Sequence, residues 1–271
     1  MNMPERLLLI GAGKMGSAML EGWLRAGLDA RRVFVIEPYP SEALLALTQR
    51  GVTLLQAEDA VPACDVVLLA VKPQSLDGVA AALAKAVQPQ TLLISVLAGK
   101  TIANLMARAP LARVIVRAMP NTPASVGRAI TGCAASTHVN AAQRAMATDL
   151  LGAIGQVVWV ANEDLIDAVT AVSGSGPAYV FHMVEAMAAA GVEAGLPADI
   201  AMQLARATVE GAGELLYREP AIPAATLRQN VTSPGGTTAA ALEVLMADDG
   251  LTPLLTRAVM AAKRRGGALS G

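Results

Sequence analysis

The chain has 271 residues, a formal net charge of −1, 54% hydrophobic residues and only 3% aromatic residues. That length exceeds what one compact core commonly organises, so two domains are expected. The near-zero charge argues against a sequence-independent nucleic-acid binder, and the basic run Lys263, Arg264, Arg265 reads as a solvated helix end. No stretch reaches the ~20 unbroken apolar residues of a bilayer-spanning helix, and the apolar run before Gly11 is too short for a secretory core. Cys64 and Cys133 stand at no metal-ligand or redox spacing. No metal is expected, and two lone thiols suit a reducing compartment. The expectation is a soluble cytoplasmic protein.

In chain order, residues 6–10, 33–36, 52–55, 66–71, 92–96 and 114–117 read as short strands, with helical composition at 17–26, 41–50 and 76–86 between them. Alternation of helices with uniformly apolar strands predicts a parallel sheet covered on both faces. After the Pro- and Gly-punctuated stretch 120–128, residues 129–134 and 157–160 read as further strands. Beyond Asn162 the strand signal stops, and 163–195, 197–216 and 237–269 read as helices, the last with breaks. The predicted organisation is an α/β Rossmann-type domain at 1–161 followed by an all-helical domain at 162–271. Alanine-rich helices suit the second half, because small side chains let helix backbones approach.

Leu8-Leu9-Ile10-Gly11-Ala12-Gly13-Lys14-Met15-Gly16 is a strand, a GxGxxG turn and the start of a helix. The first glycine permits a tight turn, the second lets backbone amides reach a pyrophosphate, and the third lets helix and strand pack closely. The helix N-terminus then stabilises the anion. The motif opens a βαβ unit, which is the context that gives it meaning. Glu37 ends the second strand about 20 residues past the glycines, where an acid can accept from ribose hydroxyls and repel a 2′-phosphate. That favours NADH over NADPH, unless Pro38 turns the carboxylate away.

Val71, Lys72 and Pro73 stand at the end of the fourth strand, at the edge where α/β sheets bind ligands. At the end of the sixth strand, Pro120 and Pro123 flank Asn121 and Thr122 in a stiff loop that presents polar groups at the same edge. In the helical half, Ser173-Gly174-Ser175-Gly176-Pro177-Ala178-Tyr179 interrupts a helical pattern and is expected to kink or begin a helix. Asn230 to Thr238, reading NVTSPGGTT, is a polar Gly-rich turn before a helix. It is either a Ser/Thr cap or a seat for a carboxylate, and it holds more donors than a cap requires.

With IGAGKMG, AVKPQ, RAMPNTP, AVSGSGPAYVF and NVTSPGGTT in this order, the chain resembles the pyrroline-5-carboxylate reductases nearly end to end. The resemblance implies a Rossmann domain, a helical domain that forms a homodimer by interleaving helices, and reduction of a cyclic imine to proline with NADPH or NADH. It implies that Gly11, Ala12, Lys14, Met15 and Gly16 hold the pyrophosphate, with Gly13 between them. Ala70, Val71, Lys72 and Pro73 would line the cofactor groove, and Asn121 and Asn230 would touch the cofactor. Ser233, Gly235, Gly236, Thr237 and Thr238 would bind substrate, with the Thr238 hydroxyl at the ring nitrogen. Glu37 departs from the small or hydroxyl residue more usual there, which leaves the cofactor preference open.

A cyclic iminium accepts hydride readily, so orientation and water exclusion matter more than a strong acid or base. The sequence agrees: no lysine lies between Lys100 and Lys263, and His182, beside Phe181 on an apolar helix, reads as a satisfied core histidine. A 3-hydroxyacid dehydrogenase of similar plan would need a base for the hydroxyl proton. A non-catalytic dinucleotide sensor would leave the second polar turn without a purpose.

Overall fold

The computed structural model describes residues 3–56 and 59–270. Eight strands, β1 (Leu7–Ile10), β2 (Val33–Ile36), β3 (Thr53–Leu55), β4 (Val66–Leu69), β5 (Leu92–Ser95), β6 (Ile115–Met119), β7 (Ala129–Ala135) and β8 (Gly155–Trp159), form one sheet in the order 3-2-1-4-5-6-7-8. The chain order reverses between β1 and β4, the switch point at which open α/β sheets bind ligands. The connecting helices are α1 (Lys14–Arg25), α2 (Glu42–Thr48), α3 (Ala80–Ala86), α4 (Ile102–Arg108) and α5 (Ala141–Gly152). Beyond them lie α6 (Ile166–Val169), α7 (Gly176–Glu193), α8 (Ala198–Arg218), α9 (Ala224–Asn230), α10 (Thr237–Leu245) and α11 (Leu251–Ser270).

Alternate residues of each central strand feed two separate cores. Leu7, Leu9, Val66, Leu68, Leu92 and Ile94 pack with Met19, Trp23 and Leu150 on one face. Leu8, Ile10, Val67, Leu69 and Leu93 pack with Leu83 and Leu105 on the other. This two-sided burial is why the strands are apolar at every position rather than alternately.

The sheet is not parallel throughout. β1 to β6 are parallel, β7 runs antiparallel to β6, and β8 is parallel to β7. Residues 120–128 are too few for the crossover of about a dozen or more residues that a parallel return requires. Between β7 and β8, α5 supplies that crossover. β8 is half-buried at best, as befits an edge strand.

The chain divides into two compact units, one running to Gly174 and including the end of α11 from Ala262, the other Ser175–Ala261. In the first, α6 passes into a π-helical turn, Thr170–Gly174, so the interruption expected at the SGSGP stretch is one wide turn. Pro177 then falls in the first turn of α7, where its missing N–H costs nothing. In the second unit, a Cβ on Gly191 of α7 would lie 3.1 Å from the Ala201 Cβ of α8, so the two helices pack close on small residues. Large apolar side chains of this unit stay exposed, among them Phe181 (63%), Leu204 (52%), Leu215 (56%) and Val244 (73%). No helix among the described residues is long and apolar enough to cross a membrane.

Arg117 on β6 is almost wholly buried, with Nη1 donating to Glu163 Oε1 at 3.1 Å. Its Nη2 lies 3.5 Å from Asp167 Oδ1, close enough for attraction but long for a hydrogen bond. Glu163 Oε1 also accepts from the Ile102 N–H at 2.8 Å, tying the start of α4 to the same group. Replacing Arg117 with Met should lower unfolding stability by about 2 kcal/mol. That is less than the ~3–5 kcal/mol of a fully buried pair, because both carboxylates keep about a quarter of their surface in water. A urea midpoint unchanged from the parent would contradict this.

Candidate dinucleotide and substrate sites

At the end of β1 the chain turns through Gly11, whose φ is +93°. A Cβ there would stand 2.8 Å from the Ala70 carbonyl carbon and from Val71 Cγ1. A Cβ on Gly16 would overlap the Gly11 carbonyl oxygen. Gly13 is different: it caps α1 in extended conformation with no side-chain cap bond, and a Cβ there would meet nothing within 4 Å. Two glycines therefore shape the loop, and the third leaves space before the unpaired N–H groups of α1. An anion can occupy that space against the helix dipole. Lys14 is exposed and Met15 half-buried at this helix start. The Ser17 hydroxyl, which sequence reading passed over, donates to the Ala12 carbonyl at 2.6 Å and braces the loop from inside. A hydroxyl residue directly after the third glycine was the available signal.

Backbone hydrogen bonds gather three loops at this edge. Gly11 N–H donates to Ile36 O at 2.9 Å and Ala70 N–H to Ile10 O at 2.8 Å. Val71 and the exposed Lys72 follow, and Pro73 opens a short 3-10 turn. Glu37 is half-buried and faces the glycine loop, its Oε2 accepting from Ala12 N–H at 2.8 Å and its Oε1 from Tyr39 N–H at 3.1 Å. Pro38 does not turn the carboxylate away. The Asn121 side chain is buried, with Nδ2 donating to Ser173 O and Oδ1 accepting from Ile130 N–H, each at 3.1 Å. Its amide ties the end of β6 to β7 and to the π turn.

In the helical unit, Asn230 ends α9 with its side chain exposed. The Thr232 hydroxyl turns back onto Arg228 O at 2.7 Å. The chain then reverses through Gly235 at φ +70°, and Gly236 N–H donates to Ser233 O at 3.0 Å. Gly236 is the N-cap of α10 and carries no side-chain cap bond. The Ser/Thr capping alternative is thus not what forms: a glycine holds the cap position, and Thr237 and Thr238 become the first two helical residues. Ser233, Gly235 and Thr237 are exposed, and Gly236 and Thr238 half-buried. The first-turn N–H groups of α10 thus carry no side-chain cap, and two hydroxyl residues stand in that same turn, a donor set that can receive a carboxylate.

Comparison with known proteins agrees with this layout. Residues 163–269 match the family model described as pyrroline-5-carboxylate reductase dimerisation, and residues 6–99 match one described as NADP oxidoreductase coenzyme F420-dependent. A pyrroline-5-carboxylate reductase of Pseudomonas aeruginosa is 38% identical over 98% of this chain and 97% of its own. The chain belongs to the pyrroline-5-carboxylate reductase family. Among solved structures, a pyrroline-5-carboxylate reductase from Coxiella burnetii superposes with a TM-score of 0.89 at 35% identity, covering 98% of this chain and 99% of that one. A Plasmodium falciparum pyrroline carboxylate reductase solved with NADP bound gives a TM-score of 0.77 at 29% identity, covering 98% of each chain.

For a member of the pyrroline-5-carboxylate reductase family, the other polar groups are plain. Burial pushes the Cys133 thiol up to about 12 and, with the nearby Asp65 charge adding to it, the Cys64 thiol up to about 11. His182 is not a core residue. It stands exposed on α7 and pairs with Glu185 one turn on, Nδ1 to Oε2 at 3.0 Å, because the apolar side chains around it are themselves exposed in this unit.

Gly13→Ala should fold with an unchanged melting temperature yet bind dinucleotide at least tenfold more weakly, since only the open space is filled. Gly16→Ala should lose the fold of the loop itself and show a lowered melting temperature. Equal behaviour of the two variants would contradict the division of roles. Both thiols should resist an alkylating reagent at mildly alkaline pH until the chain is unfolded, which a mass-spectrometric time course reads directly.

Proposed function

We propose that this chain reduces the C=N bond of 1-pyrroline-5-carboxylate to L-proline, the last step of proline biosynthesis, with NADPH or NADH as hydride donor. The observation that carries the reading is the glycine-capped start of α10, where SPGGTT leaves helix N–H groups and hydroxyls for a small carboxylate. The open space at Gly13 fits a dinucleotide pyrophosphate. When bound, the reduced nicotinamide supplies the hydride.

In this reading Gly11, Ala12, Gly13, Lys14, Met15 and Gly16 hold the pyrophosphate, Glu37 stands at the ribose, and Ala70, Val71, Lys72 and Pro73 line the groove. Asn121 and Asn230 act on the cofactor side, Asn121 through the loop that its buried amide holds in place. Ser233, Gly235, Gly236 and Thr237 bind the substrate carboxylate. Thr238, at the second position of α10, orients or protonates the ring nitrogen as the C=N carbon accepts hydride. The imine already carries the electrophile, so orientation and exclusion of water do most of the work. The functional division is 1–161 for the cofactor and 162–271 for substrate and assembly.

The exposed Phe181, Leu204, Leu215 and Val244 support a homodimer through the helical domain, since apolar patches of this kind mark association surfaces. The protein acts in the cytoplasm.

Purified protein mixed with pyrroline-5-carboxylate should oxidise NADH or NADPH, seen as loss of nicotinamide absorbance with proline formed in equal amount. Thr238→Ala should lower kcat at least tenfold while leaving dinucleotide affinity intact. A Thr238→Ala enzyme with unchanged turnover would remove Thr238 from the mechanism.

A further inference from the structure

We propose that the Glu37 carboxylate makes this protein select NADH over NADPH, an inference that rests on the crevice at the glycine loop being the dinucleotide site. The carboxylate is fixed from both sides. Ala12 N–H, inside the loop, donates to Oε2 at 2.8 Å, and Tyr39 N–H donates to Oε1 at 3.1 Å. Ala12 adjoins Gly13, so these bonds hold the negative charge beside the space that the pyrophosphate takes, at the end of β2 where an adenosine ribose is read.

An ionised carboxylate has about four acceptor positions. One on each oxygen is filled by a backbone N–H, which leaves one on each for a donor from the ligand. A ribose with free 2′- and 3′-hydroxyls brings two O–H donors and matches that remainder. A 2′-phosphate brings no such pair of donors and sets a second negative charge against the first.

The surroundings offer little to offset that repulsion. Sites that take a 2′-phosphate place an arginine near it, whereas residues 37–42 here read EPYPSE, with two acids and no base. Among the described residues no cation pairs with Glu37. Arg31 is committed to Asp29 and Arg32 to Glu5. Both stand before β2, at the opposite end of that strand from Glu37. Lys14 opens α1 directly after Gly13 and makes no ion pair with Glu37. Nor can the carboxylate readily swing clear, because doing so strips a hydrogen bond from the loop that forms the site.

Direct titration tests this without turnover. Full-length protein is titrated with NADH and with NADPH by calorimetry, and the same is done for Glu37→Gln and Glu37→Ala, with melting temperatures recorded for each. The parent should bind NADH at least tenfold more tightly than NADPH. Glu37→Gln, which keeps the shape and an acceptor oxygen but loses the charge, should gain NADPH affinity and bring the ratio within about threefold. Glu37→Ala should bind NADH more weakly than the parent. Parent protein that binds NADPH as tightly as NADH overturns the selectivity while leaving the dinucleotide site in place. Folded parent protein that binds neither overturns the site and the selectivity together. The parent ratio decides the matter even if a variant proves unstable.

Discussion

Gly16 has room for nothing larger than a hydrogen against the Gly11 carbonyl oxygen, and this contact seats α1 on the end of β1. The far end of the helix is held just as closely. A Cβ on Gly22 would come within 2.9 Å of Ala153 O, and the buried Trp23 indole N–H donates to Leu150 O at 2.8 Å. A helix gripped at both ends keeps its first N–H groups aimed at one place. An anion bound there meets donors that need no rearrangement, which is the usual source of affinity in such loops. The Ala12 hydrogen bonds to Glu37 and Ser17 belong to the same seating, since they hold the residue next to Gly11, whose own N–H is bonded to Ile36 O on the second strand.

A second centre lies around Arg117. One guanidinium, two carboxylates and the first N–H of α4 form a polar knot under the end of β6. Gly266 and Gly267 of α11 pass beside Asp167, and any side chain there would lie within 3.6 Å of its oxygens. Close by, Met119 presses on Gly174 and Asn121 holds Ser173, so the π turn is fastened by the strand end that precedes it. Wide turns of this type recur next to functional sites, where they displace the helix axis by one residue without breaking the helix.

Much of this was legible in the residues. Uniformly apolar strands gave away a sheet buried on both faces, and Val33–Ile36 falls on the predicted positions without error. The glycine loop and the NVTSPGGTT turn were visible because their chemistry is local: each depends on residues adjacent in the chain. What escaped notice depends on partners far apart. The knot of Arg117 with Glu163 and Asp167 spans some 50 positions and leaves no periodic trace. The reversed direction of β7 is set by the short 120–128 connection, whereas the apolar pattern of a strand carries no direction. The heading of Glu37 could not be read from spacing at all, because its side-chain torsions are fixed by the hydrogen-bond donors the carboxylate finds. His182 misled for the opposite reason. An apolar neighbourhood in the chain suggested burial, while those neighbours on α7 are themselves left in the open.

Those uncovered helices also bear on the life of the chain before it has found its place. A newly made copy with Phe181, Leu204 and Val244 bare to water is a sticky object, and its safety depends on how soon a second copy arrives. Dilution should therefore act as a denaturant: the same molecule that is durable at high concentration becomes fragile when scarce, because association contributes to its stability by mass action.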